Sequence, residues 1–468
     1  MKSIPSAVYF FCIEREGASI LTTSEAAEIL GVTPRRVIAL IESGDLAAER
    51  FGRQWMVDER SVRNRASSPK LSGRPKLGQK DLLALSEHTL MNRDHPVLDF
   101  TYDRKGRRTR IERVYGEAAW APLGTGRRAR KPEGGWRPPV PNEIDLALWL
   151  EHRYMPPLRP EAARILRETG EPSTDMLMLS SLGLNLSDQY WFKPVGSSLS
   201  WHDVNFFEND YEATRPHRSP DSSTPGALEK WWERRGGRNW LVKASSTAEE
   251  REPYNELLAT RLCGRLLDPG EFVPYALEEH RGRACSACPT LAAPDTEFVS
   301  ANDVAAYFGV SEGRDFYRSY VRACEDLGIS GAKTALAKMI VCDHVMANFD
   351  RHRANFGLVR NSETLDGWKI APLFDNGAAF FSRATVAELA RNRYTWTANP
   401  FEEYPLVQLA RVEDMGWYDP AMLEGFAEEA QVVLGSNPHL PDEMVSRMAF
   451  HVQRNIDAVN DLFAERAR

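Results

Sequence analysis

Long apolar runs are missing from this sequence. Nothing in its 468 residues approaches the roughly 20 consecutive apolar positions that a membrane-spanning helix requires. The apolar stretch from Ala7 to Ile13 is short and is closed at once by Glu14, Arg15 and Glu16. That excludes a secretory signal and leads us to expect a cytoplasmic protein with no membrane partner. Cysteine is scarce as well: six in a chain this long cannot make a disulfide scaffold. The close pair Cys285 and Cys288, with His280 nearby, lacks the second ligand pair that zinc needs. It reads as two small buried residues near a turn. An excess of positive charge is also missing. The net charge of −7 argues against a protein that coats nucleic acid or membrane along its whole length.

The length implies two or three domains. Charge is unevenly spread among them. From Thr101 to Val140 eleven Lys/Arg stand against four Asp/Glu, and from Leu21 to Lys80 eleven against seven. The acidic excess lies later, so a basic front and an acidic back suggest divided labour.

After an extension over residues 1–20, the front reads as a small helix-turn-helix over 21–65. Thr22 and Glu25 form a capping box that opens a helix through Ala26, Ala27, Ile29 and Leu30, and Gly31 ends it. Thr33 caps a second helix with Pro34 at its first position, where a missing N–H costs nothing. Arg35 and Arg36 fall in its leading turn, and Val37, Leu40 and Ile41 form its apolar face. Leu46 to Val57 alternates well enough for two short strands joined near Gly52-Arg53, a wing. Arginines at the head of such a helix can reach base edges or phosphates, and Arg50 and Arg53 on the wing can grip the backbone. The stretch "LTTSEAAEILGVTPRRVIALIESGDLAAERFGRQWMV" closely resembles the excisionase/MerR-like winged helix-turn-helix family, which implies DNA as a partner. Proteins of this kind often bind DNA as homodimers. Residues 66–80, rich in Ser, Pro, Gly and Lys with almost nothing to bury, read as a flexible basic linker.

In the middle region, His95 to Tyr115 alternates around a turn at Asp103 to Arg108, a β-hairpin. Gly124 to Gly135 holds a Gly-x-Gly, but no strand leads into it and no helix follows, so it reads as a basic surface loop. Helices are expected from Glu143 to Arg153 and from Glu161 to Thr169.

The later half supplies, in order, the parts that phosphoryl transfer needs. "RNWLVKAS" is a strand with Trp240 and Val242 on one face and Leu241 and Lys243 on the other. A lysine on so apolar a strand is expensive without a partner. Glu256, in the helix "EPYNELLATRLCGRLL", is the expected one. Upstream, Gly226 in "SSTPGALEK" lets backbone approach phosphate oxygens. Asp350 and Asn355 are five apart, the interval of kinase catalytic loops. Asp375 then follows an apolar strand from Trp368 to Phe374 and precedes Asn376-Gly377, an arrangement like DFG with Asn in place of Phe. Each of these residues has a plain structural alternative: a helix cap for Asp350, a turn for Asn355, a hairpin turn for Asp375-Asn376-Gly377.

"NFDRHRANFG", "PLFDNG" and "STPGALEK" resemble the catalytic, metal-binding and phosphate-loop motifs of HipA-like kinases. "LMNRDHPVLDFTYD", "LGLNLSDQYWFKP", "WHDVNFFEND" and "LVKASSTAEEREPYNELLATRL" are similar to one branch of that family, whose members often carry a helix-turn-helix in front. The resemblance runs from about Leu90 nearly to the end. It implies an α+β, protein-kinase-like bilobal fold: a HipA-like N-terminal subdomain over 81–205, a kinase N-lobe over 206–300 and a helical C-lobe over 301–468. It further implies ATP and Mg2+, with Asp350 as base, Asn355 and Asp375 as metal ligands, Lys243 on the phosphates and Glu256 holding Lys243. Glu297 to Val299 would stand at the adenine hinge. Ser223, matching a phosphate-loop serine, would lie at the nucleotide and be the candidate for autophosphorylation. The partners implied are a protein carrying Ser or Thr and an antitoxin. Two other classes stay open: a transcription regulator that senses nucleotide without transfer, and a small-molecule kinase. The acid-rich stretch Thr385 to Asp414 carries no feature from which a substrate can be read.

Overall fold

The computed structural model describes residues 20–42, 46–51, 54–67, 85–103, 108–116, 118–128, 137, 139–310, 315–391 and 394–467. Arg53, the extension before Ile20 and all of the linker beyond Ser67 lie outside them. The chain divides into two units, Met1–Lys80 and Asp81–Arg468.

In the first unit, β1 (Ile20–Thr22) leads into α1 (Thr23–Leu30), then α2 (Pro34–Glu42), β2 (Ala48–Phe51), β3 (Gln54–Asp58) and α3 (Glu59–Ser67). The expected capping box is present: the Thr22 side chain accepts from Glu25 N and the Glu25 carboxylate accepts from Thr22 N at 2.7 Å. Gly31, with φ of 65°, closes α1 in the left-handed region that favours glycine. Ala26, Val37, Val57 and Val62 are sealed in the core. The wing forms as expected, with β1 added on the far side of β3. Helix α3 was missed by sequence. Its first turn is held by Asp58, which accepts from Arg60 N at 3.3 Å and Ser61 N at 3.2 Å, and it drives Val62 into the core. The helix reaches Ser67, so the linker begins after it.

The second unit opens with β4 (Leu85–Asn92), β5 (His95–Asp103) and β6 (Arg108–Val114). After the two-residue strands β7 (Gly126–Arg127) and β8 (Val140–Pro141) come α4 (Glu143–Glu151), α5 (Ala162–Thr169), α6 (Thr174–Ser180) and β9 (Tyr190–Pro194). The expected hairpin is β5–β6, and β4 and β9 extend it to a four-stranded antiparallel sheet in the order β6-β5-β4-β9. Its inner face packs on α4 and α6 through Leu98, Phe100, Leu146, Met178 and Phe192. The expected surface loop at 124–135 is corrected at its start. Gly124 and Thr125 are buried, and a Cβ on Gly124 would lie 2.1 Å from the Asp303 carboxylate.

A second antiparallel sheet, ordered β10-β11-β13-β12, contains β10 (Lys230–Arg235), β11 (Arg238–Ala244), β12 (Ala276–His280) and β13 (Arg283–Pro289). It follows the short helix α7 (Trp201–Val204) and carries α8 (Arg251–Leu266) between β11 and β12. Beyond it, β14 (Thr296–Ser300), β15 (Gly357–Asn361) and β16 (Lys369–Ile370) make a small third sheet. The apolar strand expected from Trp368 to Phe374 is confined to those two residues of β16. The rest is mostly helix: α9 (Ala301–Phe308), α10 (Phe316–Asp326), α11 (Ala332–Val345), α12 (Val386–Leu389), α13 (Pro405–Leu409), α14 (Phe426–Gly435) and α15 (Asp442–Arg466). One large core joins α8, α11, α14 and α15 through Leu258, Leu262, Ile340, Leu434, Met448 and Val452.

One turn ties the first of these sheets to the region of the second. Gly183 takes φ of 60°, and a Cβ there would lie 2.0 Å from the Phe192 ring. Gly183→Ala therefore meets both backbone strain and overpacking, and we expect it to lower stability by about 2–5 kcal/mol in urea unfolding followed by tryptophan fluorescence.

Candidate active site

Strand β11 alternates as its sequence requires, and this turns Lys243 inward, where it is 4% exposed. Its Nζ lies 3.1 Å from Glu256 Oε1 on α8 and 2.5 Å from Asp375 Oδ1. It also reaches the Tyr275 hydroxyl at 3.4 Å. Burial opposes the charge on Lys243, but Asp375, Tyr275 and Glu256 outweigh it and hold the ammonium well above its usual range.

Asp375 is delivered by two segments running side by side. Val273 N donates to Leu373 O and Leu373 N to Glu271 O, each at 2.8 Å, which brings Tyr275 beside Asp375. The Asp375 backbone has φ of 60°, unusual for a non-glycine residue and worth about 1–2 kcal/mol of strain. Two bonds hold it there: Asp375 N donates to the Tyr275 hydroxyl at 3.2 Å, and Asn376 N to Glu256 Oε2 at 2.9 Å. Burial would raise the Asp375 carboxyl; Lys243 and Lys230 overcome this and hold it well below the carboxylate range.

Lys230 has no counterpart in the sequence-based expectation. It pairs directly opposite Lys243 across β10 and β11, so two ammonium groups share one face. Its Nζ donates to Pro225 O at 2.8 Å, and a Cβ on Gly226 (φ 97°) would lie 2.4 Å from that nitrogen. Glycine at 226 is thus favoured by its conformation, and a side chain there would displace the Lys230 ammonium. Burial, and then Lys243 beside it, bring the Lys230 ammonium down to about 8.

Asp350 and Asn355 stand on the loop between α11 and β15. Asn355 Nδ2 donates to Asp350 O at 3.2 Å, and Asp350 N donates to Asn348 Oδ1 at 3.1 Å. The Asp350 carboxyl is raised by burial and by Asp375, against His352 and Arg383. Between these two residues sits Arg351, wholly buried. Its guanidinium pairs with Asp343 at 2.9 Å and donates to Asn355 O at 2.9 Å, to Phe374 O at 2.6 Å and to Asn376 Oδ1 at 2.5 Å. Lys243, Glu256, Asp375, Asp350 and Asn355, expected from sequence, are therefore brought together, with Lys230, Tyr275 and Arg351 added.

Three expectations are placed differently. The Glu297 carboxylate is paired with Arg360 inside the protein, and Val299 is buried in the large core. The main chain there is committed too, to β15 along its length and to Ser187 O through Phe298 N at 2.8 Å. The adenine contact expected at Glu297 and Val299 is thus set aside. An apolar cluster of Val273, Tyr275 and Cys288, with Leu241, Leu291 and Phe374 against it, adjoins Lys243 instead. Ser223 is fully buried, its hydroxyl donating to Leu184 O. In the first unit Arg35, Arg36 and Arg50 are all exposed, and Arg50 lies over the Trp55 ring.

Because Arg351 satisfies groups on three segments, removing it strands Asp343 as an unpaired buried charge. Arg351→Met should lower stability by about 3–5 kcal/mol in urea unfolding. Arg351→Lys should lose most of the same amount, since an ammonium cannot span the same partners.

The helix-turn-helix domain family matches residues 20–67. Residues 20–67, a tenth of the chain, are therefore a helix-turn-helix domain. No curated protein matches the chain. Among solved structures, the crystal structure of a Helicobacter pylori proinflammatory kinase, CtkA, is similar at 16% identity and a TM-score of 0.39, over 52% of this chain and 97% of that one. The chemistry of the site rests on its own side chains.

Proposed function

We propose that the second unit is an ATP- and magnesium-dependent kinase of the HipA-like, toxin-type class, acting on serine or threonine of a protein, and that the front domain binds DNA through Arg35, Arg36 and Arg50. The observation that carries the first part is the buried cluster in which Lys243 meets Glu256 and Asp375 while Lys230 faces it from the next strand. Burial and the neighbouring Lys243 disfavour the Lys230 ammonium, and a polyphosphate is a ligand that both ammonium groups could meet. The lobes would follow the expected division at 206–300 and 301–468.

The residues fit the chemistry. A carboxylate and an amide oxygen, from Asp375 and Asn355, are hard oxygen donors of the kind magnesium takes, and they would hold it. Bound there, the ion would neutralise charge on the phosphates. Lys243 and Lys230 would grip phosphate oxygens, with Glu256 keeping Lys243 in place. The apolar cluster of Leu241, Cys288, Leu291 and Phe374 would meet the apolar faces of the base. Asp350 would orient the acceptor hydroxyl and take its proton. Arginines at the head of α2 and on the wing would meet DNA phosphates and base edges.

Two outcomes are expected. Purified protein incubated with magnesium-ATP should gain a phosphate in its intact mass, and Asp350→Asn should gain none. Binding of nucleotide without transfer by the wild type would favour the sensor reading, and absence of binding would remove the site altogether. The second concerns pH. A lysine whose ammonium is brought down to about 8 is charged below that pH and loses its charge above it. ATP affinity should therefore fall as pH rises through about 8, and Lys230→Met should abolish that dependence in calorimetric titrations.

A further inference from the structure

The loop that precedes Lys230 is shaped from outside its own sheet. Arg159, just before α5 in the middle region, has a side chain with no exposed surface. Its Nη1 donates to Thr224 O at 2.9 Å and its Nη2 to Asp221 O at 2.8 Å. Its Nε lies 2.6 Å from Glu161 Oε1, and that same oxygen accepts the Lys230 backbone N–H at 3.2 Å. Met155 N donates to Ser222 O at 3.3 Å, and the Ser223 hydroxyl donates to Leu184 O. All these anchors lie between residues 155 and 184.

Within the loop the bonds continue to the strand. Trp232 N donates to Asp221 Oδ1 at 2.8 Å, and Trp232 Nε1 to Thr224 Oγ1 at 2.7 Å. Thr224 Oγ1 in turn donates to Pro220 O at 2.6 Å. The loop therefore has one shape, and that shape sets Pro225 O as the acceptor for Lys230 Nζ.

A guanidinium removed from water costs several kcal/mol unless its hydrogens are met, and apolar side chains of similar volume usually do as well for stability alone. What an apolar side chain cannot do is span two carbonyls three residues apart. The planar fork of arginine does so with fixed geometry, whereas a lysine could satisfy one of them at a time. Burial lowers the pKa of the Arg159 guanidinium, against the pull of Glu161 and Asp221.

We infer that Arg159 and Glu161 are positioning residues: through them the middle region fixes the loop at 219–226 and the seat of Lys230, so that affinity for the nucleotide's phosphates is set outside the catalytic sheet. This rests on the reading of the site as a nucleotide site. It also gives the middle region a task, which is to hold the phosphate loop closed over Lys230.

The test uses the full chain as wild type, Arg159→Lys and Glu161→Gln, titrated calorimetrically with magnesium-ATP and with adenosine. Arg159→Lys should raise the Kd for magnesium-ATP about tenfold and leave the Kd for adenosine unchanged. Amide exchange should accelerate at 219–226 and stay as in wild type along α11. Glu161→Gln, which keeps an acceptor for the Lys230 amide, should show the same phosphate-specific loss at about threefold. Unchanged magnesium-ATP affinity in either folded variant overturns the inference, as does an equal loss for ATP and adenosine. If Arg159→Lys does not fold, Glu161→Gln alone decides by the same criteria. Absence of magnesium-ATP binding in the wild type is a different result, and it removes the nucleotide reading itself.

Discussion

The structure of the site depends on one buried guanidinium. Arg351 lies between Asp350 and Asn355 in sequence, and its side chain turns into the protein. There it is paired with Asp343 of α11 and bonded to main chain on the loop and ahead of Asp375. Asn348 Nδ2 adds a bond to the same Asp343 at 3.0 Å. A charge-assisted cluster of this kind is expensive to bury and stable only when every hydrogen is met. It makes the helix, the loop and the segment around Asp375 a single piece, so Asp350 and Asp375 cannot drift independently. Asp375 then carries its unusual backbone because Tyr275 and Glu256 hold it from the other side.

Around this piece the arrangement is one of opposed charges at short range. Two lysines face each other across β10 and β11, and two carboxylates lie among them. Neither set alone would tolerate burial. The middle region, through Arg159 and Glu161 just before α5, reaches across to the loop that begins this array. The front domain is a separate unit, with a core of its own around Ala26, Val37 and Val57.

Local signals were legible in the sequence, and long-range ones were not. The Thr22–Glu25 box, Gly31 and the alternation of β11 each act within a few residues, and each is present in the structure. Lys230 was overlooked because its meaning comes from standing opposite Lys243, a pairing that depends on strand register. Tyr275 was invisible for the same reason: it lies 100 residues from Asp375. Glu297 was misread because an exposed-looking Glu-Phe-Val carries no mark that Arg360 will claim the carboxylate. Composition misled at both ends of its range. Ala66 and Ser67 looked like linker, although Asp58 was already in place to start a helix that includes them, and Gly124 looked like a surface position although it packs tightly against Asp303.

An ammonium group has three hydrogens to give. Those of Lys243 are spent on Glu256, Asp375 and Tyr275, at 3.1, 2.5 and 3.4 Å. On the proposed nucleotide reading, a phosphate would find no spare donor here, so its entry would be an exchange of partners rather than an addition. The strength of binding would then be a difference between two sets of bonds, and the longest of the three, to the Tyr275 hydroxyl, would be the one most readily given up.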